Sequence, residues 1–459
     1  MRKLNLYFAF IVIAYTVGIW TFTVTPKVLM LLGLKGAVLM LAFTLVAAAA
    51  IVLQISSINA TKYRVHEYLV KVARFPSISI IMISFLLVVT AVIGHYTGEA
   101  LAKALNTNIA IFGILSILLV ALLLLMARGR TLQLIVIVSV LFVILAVLSA
   151  VFLHSKVDEV VVDRASRTYL TATFDAMKSF EAPLKLSSVV QVFLVSILSF
   201  GLGVGFYYVL GTFMPPDLDI KKVLAIVILL QVMLSLVAAL VVAYSIAISH
   251  QAYSTAFKTR DPWEAQEIYE KYFLPLLKYR QSEDIKIIYS VEAIYLIPDV
   301  LRTTKLEGGE GIITFLMLSL FLAGFTTLLL LIEGGAQIAA DVFQINRRNS
   351  IAVITALSSI LTGLTAIPSI KVVLTTVVVI MIPVFAAVEL LPVMRARGIW
   401  GASKGATAVL VAIFIALWLP AVITVARIRE EAVMLGIALG LVLLVPLLFN
   451  GVLVKSGKR

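Results

Sequence analysis

Cysteine is absent from the 459 residues, so disulfides, thiol nucleophiles and thiolate metal sites are excluded from the outset. Charge is nearly as scarce. Asp, Glu, Lys and Arg make up 13% of the chain, about half of what an ordinary globular domain uses to stay in water. Four scattered histidines offer no zinc spacing. No nucleophile–base pair, phosphate-cradling loop or carboxylate cluster stands out, so no enzymatic machinery is visible. Low-complexity segments are missing as well. Hydrocarbon takes their place: 62% of residues are hydrophobic and the mean hydropathy is +1.11, values that repeated membrane spans produce and soluble cores do not.

Apolar runs of about 20 residues, the length that crosses a bilayer, fall near 4–25, 28–56, 77–103, 108–127, 132–154, 187–212, 219–249, 311–343, 350–367, 371–393, 404–426 and 431–452. The chain therefore reads as an all-α polytopic membrane protein with twelve transmembrane helices. The first run follows Arg2 and Lys3 without a small-residue cleavage site, so it reads as a retained span. The net charge of +13 is an orientation signal rather than a footprint for nucleic acid. Basic residues gather in alternate short loops: Arg2 and Lys3, Lys62 to Arg74, Arg128 and Arg130, Lys221 and Lys222, Arg347 and Arg348, Arg395 to Lys404, and Lys455 to Arg459. The opposite short loops hold Lys27, Lys35, Lys103, Lys371, Arg427 and Arg429. A multi-pass protein of the cell membrane with both termini cytoplasmic is expected. Two long loops, 155–186 and 250–310, then lie outside and should carry short amphipathic helices.

Two spans contain residues that loosen a helix. "AYTVGIWTFTVTP", residues 14–26, has a glycine, four threonines and a proline; "VFLVSILSFGLGVGFYYVLG", residues 192–211, has Gly201, Gly203 and Gly205. Small residues at membrane depth ordinarily serve close packing. Interruptions in spans one and six, five apart, instead point to an inverted five-plus-five repeat with unwound backbone facing a cavity. The expected organisation is a first repeat at 1–154, an outer loop at 155–186, a second repeat at 187–395 including the outer loop at 250–310, and two further spans at 396–459. Those two are left for packing or a homodimer contact. In the eighth span Ala323, Thr326 and Thr327 stand at i, i+3 and i+4, presenting a carbonyl and two hydroxyls on one face. Uncharged oxygens without a carboxylate suit a monovalent cation, and sodium fits.

These residues carry a resemblance. "FLAGFTTLLLLIEGGAQIAADVFQINRRN", residues 321–349, resembles the eighth span and following loop of the neurotransmitter:sodium symporter family, which has the leucine-transporter fold. "VGIWTFTVTP" is similar to the family's broken first span, the stretch from Gln191 to its sixth, "AIYLIPDVLRT" to its outer-loop helix, and Glu389 in "AAVELL" to a tenth-span glutamate. The likeness runs, with breaks, over residues 4–395, and its eighth-span block is the specific part. It implies a sodium site built from the carbonyls of Ala14, Val17 and Ala323 and the hydroxyls of Thr326 and Thr327. It also implies a solute beside that site, touching Trp20, Thr21, Ser199 or Ser196, Phe200, Thr327, and His95 or Tyr96.

Departures from the family pattern narrow the expectation. Trp20 replaces a small glycine, Thr21 an ion-binding Asn, and Val24 the outer-gate Arg, while no acid opens the tenth span near Lys371. One sodium site is expected rather than two, with no outer ion-pair gate. The chloride-site tyrosine is apolar around Leu41, so no chloride dependence is expected. Glu99, Glu333, Asp341, Glu389 and His95 lie at membrane depth, where each is costly without a cavity or partner. Asp341 is expected to close the cytoplasmic mouth by pairing with Arg2 or Lys3. The functional expectation is a non-enzymatic, sodium-coupled symporter of a small amino acid or similar organic solute, working by alternating access. Its alternatives are a proton-coupled or uncoupled transporter on the same fold, or a receptor-like relative that does not transport.

Overall fold

Membrane depth offers no water to backbone N–H and C=O groups, so each apolar run has to satisfy them within itself. Every one of the twelve is helical. The computed structural model describes residues 3–107, 111–126, 131–215, 217–259, 262–282, 293–304, 306–396 and 401–456. Spans one and six are each two helices, Lys3–Thr16 with Ile19–Thr23, and Leu186–Phe200 with Phe206–Phe213. The second to fifth spans are Thr25–Asn59, Ser77–Ala104, Phe112–Met126 and Thr131–Val160. The seventh to eleventh are Ile220–Thr259, Gly309–Phe343, Arg347–Leu364, Pro368–Arg395 and Gly401–Ala426, and the twelfth runs from Glu431 through three short helical pieces to Ser456. Eight of these helices are long and apolar enough to cross a membrane. The chain is a polytopic membrane protein.

Burial separates a centre from a lipid-facing rim. In their most apolar windows the third, eighth and tenth spans are 83%, 78% and 89% buried, whereas the eleventh and twelfth are 22% buried. The last two spans therefore stand against the bundle's outside with leucine and valine facing out, as a bilayer requires. One end of the bundle carries the arginine-rich short connections and is called the basic face. The other, the loop face, carries the long connections.

As expected, the long connections hold helices: Arg164–Lys178 in the first, Pro262–Ile268, Leu274–Gln281 and Ala293–Thr304 in the second. They are bolted down through backbone carbonyls. The second span bends at Gly33, whose φ of +58° is left-handed and whose missing side chain makes room for Ser179, since a Cβ there would sit 2.3 Å from the Ser179 oxygen. Leu34 N then donates to Ser179 O at 3.1 Å, and Lys35 Nζ to Ala182 O at 2.6 Å. The seventh span, 40 residues long, runs well beyond the bilayer. Its end holds His250 against the rings of Tyr169 and Phe273, with Ser166 Oγ 2.8 Å from His250 Nδ1.

Candidate functional site

The first span leaves helical geometry at Val17 and Gly18, where Gly18 is extended (φ −98°, ψ −154°), and resumes at Ile19. The Ala14 carbonyl is not left bare. Thr326 Oγ1 and Thr327 Oγ1 of the eighth span both donate to it, each at 3.1 Å, and each lies 3.0 Å from Ala323 O. Four uncharged oxygens from two helices thus meet in one place. Gly18 permits the approach, because a Cβ there would stand 2.8 Å from Thr327 Oγ1. All of these residues are buried. Val17 closes the turn through its N–H to Ile13 O at 2.8 Å.

The sixth span breaks at Gly201–Gly205, where Gly201, Gly203 and Gly205 have φ of +58°, +94° and +81°. Only glycine adopts that run without strain. Here too every freed group that the geometry records has found a partner. Tyr15 OH donates to Gly201 O and Tyr207 OH to Phe200 O, each at 2.6 Å. The two oxygens of Glu389, on the tenth span, accept from Gly203 N at 2.6 Å and Gly205 N at 2.7 Å. Tyr208 OH donates to Glu389 O at 2.7 Å. Tyr15 also stacks on Phe206, ring centroids 3.8 Å apart, so the two breaks are packed against each other.

The residues expected around a solute separate into two groups. Trp20 is buried and meets Tyr96 edge-on at 5.7 Å; Tyr96 stacks in turn on Tyr295 of the outer-loop helix at 5.8 Å, and His95 lies beside it at 5.3 Å. Lys371 Nζ stands 5.3 Å from the centre of the Tyr96 ring, and His95 reaches Thr365 Oγ1 at 3.0 Å and Glu99 at 3.6 Å. Thr327 belongs to the first break. The serines point elsewhere. Ser196 Oγ donates back to Val192 O at 2.8 Å and lies 3.4 Å from Met40 O of the second span, while Ser199 Oγ donates to Val195 O at 2.8 Å. Phe200 is buried and supplies its carbonyl to Tyr207. Thr21 Oγ1 is 3.4 Å from Thr16 O. Helix contact is close nearby, since a Cβ on Gly324 would fall 2.1 Å from Thr97 Oγ1.

The two ends of this core differ. At the basic face a cavity of about 880 Å³ is lined by Lys62, Arg64, Glu333, Gln337, Asp341 and Arg347. An adjoining one of about 460 Å³ reaches Phe8 and Ile11 of the first span and Phe206 of the sixth. Asp341 pairs with Arg64 at 3.2 Å and Glu333 with Arg347 at 2.5 Å. Arg2, the expected partner of Asp341, lies outside the described residues, as does the side chain of Lys3. At the loop face the described residues are tied to one another. Lys27, which the sequence places in a short loop, is buried, with Nζ donating to Tyr279 O at 3.0 Å and Ser282 O at 2.5 Å. Tyr279 OH donates to Thr23 O at 2.6 Å. Farther along the same loop Tyr295 OH donates to Tyr96 O at 3.0 Å, and Asp299 pairs with Lys103 at 2.5 Å. Sequence reasoning took Lys27 for a loop lysine and gave no role to Tyr15, Tyr207 or Tyr279; for Tyr15 and Tyr207 the available signal was a hydroxyl inside an otherwise apolar run.

No family model matches the sequence, and no curated protein matches it. Among solved structures the chain is similar to the crystal structure of MhsT in complex with L-phenylalanine, over 97% of this chain and 99% of that chain, with a TM-score of 0.56 and 12% sequence identity. At that identity the likeness carries the fold, which is the leucine-transporter fold.

Proposed function

We propose that the chain is a sodium-coupled symporter of the neurotransmitter:sodium symporter type, moving a small amino acid or similar organic solute by alternating access. The observation that carries this is the meeting of Ala14 O, Ala323 O, Thr326 Oγ1 and Thr327 Oγ1 between a broken and an unbroken helix. Each hydroxyl holds one proton between two carbonyls, so a small rotation turns both oxygens toward a cation without breaking the fold. Ala14 and Val17 supply carbonyls from the first span, Ala323 a carbonyl from the eighth, and Thr326 and Thr327 their hydroxyls. The set is neutral and made of hard oxygen, which suits sodium and would leave a divalent ion undercompensated.

An ion shared by two helices favours the arrangement that keeps them together, and its loss frees them to rock. By the charge rule the basic face is cytoplasmic, so the tied loop face and the cavity at the basic face correspond to an inward-facing arrangement. A membrane potential adds about 2.3 kcal/mol per charge per 100 mV to inward sodium movement. The solute would sit beside Trp20 and Tyr96. That MhsT was crystallised with L-phenylalanine supports the amino-acid class. Trp20, filling the place of a small residue against Tyr96, favours a second reading in which the protein senses rather than transports.

The test is a thermal-shift titration of the purified protein with NaCl against choline chloride, in the presence and absence of amino acids. Sodium should raise the unfolding temperature, and Thr326→Ala with Thr327→Ala should abolish the rise. An unchanged response in the double variant removes those hydroxyls from the mechanism, and a sodium response that no solute sharpens favours the sensing reading.

A further inference from the structure

Glu389 is the most deeply buried carboxyl in the described core, 1% exposed in the middle of the tenth span. It makes no ion pair with any described cation; its oxygens accept the Gly203 and Gly205 amides, and the Gln54 side chain reaches the same carboxyl. The titratable groups facing it are Tyr15 of the first span and Tyr207 and Tyr208 of the sixth, with Tyr68, from the short helical segment after the second span, behind Tyr208 at 5.8 Å between rings. None is a cation. Gln54 of the second span is fully buried with its amide turned to this carboxyl, and its amide oxygen has no hydrogen-bond partner. The Tyr68 hydroxyl is turned to Ser57, and Ser57 Oγ donates to Gln54 O at 2.9 Å. Buried amides and hydroxyls are nearly always partnered, by ordered water where protein offers nothing. Glu389, Gln54, Ser57, Tyr68 and Tyr208 therefore form a buried polar cluster where the second, sixth and tenth spans meet.

We propose that Glu389 is a proton-binding site coupled to the ion site. As an anion it holds both amides of the sixth-span break. On taking one proton from water it becomes a donor and gives that O–H to the unpartnered amide oxygen of Gln54, releasing one amide; no other bond is made or broken. Coupling follows from connectivity: Ala14 supplies the cation's carbonyl, its neighbour Tyr15 donates to Gly201 O, and Gly203, two residues on, is bonded to Glu389. A cation in the first break favours the anion by charge and by ordering the sixth break; by reciprocity the proton weakens the cation. This linkage rests on the sodium reading above, so the test separates them.

Purified protein in lightly buffered detergent with a pH indicator is given NaCl or choline chloride. Sodium should release up to one proton per chain and choline none. The apparent sodium affinity read from thermal shifts should fall about tenfold per pH unit on the acid side. Glu389→Gln, which keeps an oxygen for one amide, should release no proton and show a flat pH dependence. Should that variant fold poorly, Gln54→Leu retains the acid but removes the side chain that bonds its carboxyl, and the midpoint of the pH dependence should move while proton release persists; an unmoved midpoint would detach Gln54 from the site. Proton release of native size in Glu389→Gln, or a pH-independent sodium affinity in the native chain, overturns the proposal while leaving the sodium reading intact. No sodium response at any pH overturns both.

Discussion

The first and sixth breaks lie in contact and serve the same geometric purpose, but they are stitched by opposite chemistry. In the first, a carbonyl is met by two threonine hydroxyls; in the second, two amides are met by a carboxyl and two carbonyls by tyrosine hydroxyls. Hydroxyls that rotate give way to a cation at little cost, whereas a carboxyl holding two amides in hydrocarbon is an anchor that only a proton loosens. On the sodium reading proposed above, the contrast separates a place that exchanges its occupant from a place that keeps its shape.

Removing the anchor should have the largest effect. Glu389→Leu leaves two buried amides without acceptors, and at about 1–3 kcal/mol for each orphaned group the unfolding temperature should drop steeply; a native value would show that the carboxyl does not hold the sixth break. Gly18→Ala attacks the other break. The added Cβ, 2.8 Å from Thr327 Oγ1, forces that hydroxyl to turn or the eighth span to shift, at about 1–3 kcal/mol. Sodium stabilisation should suffer more than basal stability, and equal losses in both would count against an exchangeable site. Tyr15→Phe cuts the Tyr15–Gly201 bond that joins the breaks and should cost about 1 kcal/mol, with the sodium titration becoming less dependent on pH. Changes remote from both should move least. Arg64→Ala removes a largely exposed arginine from the more covered Asp341, whose side chain is 15% exposed, and stability should stay within about 1 kcal/mol.

Near that pair, burial holds the His66 imidazole below its usual pKa, with Asp341 pulling the other way. His66 is therefore neutral in the folded chain. Its contribution is full above the ordinary value near 6.5 and is lost as pH falls from there through the lowered folded value. His66→Gln should flatten that part of the acid limb of thermal stability measured without sodium, and an unaltered limb would assign it to other groups.

Helix positions were legible because a bilayer imposes a length and a composition that no soluble element shares. The sixth break was legible at Gly201, Gly203 and Gly205 because positive φ selects glycine, and the eighth-span oxygens because i, i+3 and i+4 share a face. Other features had no local signature. Whether Ser196 or Ser199 faces a cavity is a matter of helical phase, and both hydroxyls turn out to bond back one turn along their own helix. Lys27 reads as a loop lysine, yet a tyrosine 252 residues later closes over it. The partner of Asp341 was sought at the N-terminus, and the described pair is with Arg64, from the connection after the second span.

The seventh span has one more consequence. Forty helical residues measure about 60 Å, twice a bilayer's hydrocarbon thickness, so its far third is a mast standing clear of the lipid. Lys258 on that mast grips Asp163, and His250 is clasped by both outer loops, which makes the loops its rigging. An antibody fragment seated on that rigging would load a lever that packs along both pieces of the broken first span, and so would reach the break from outside the lipid.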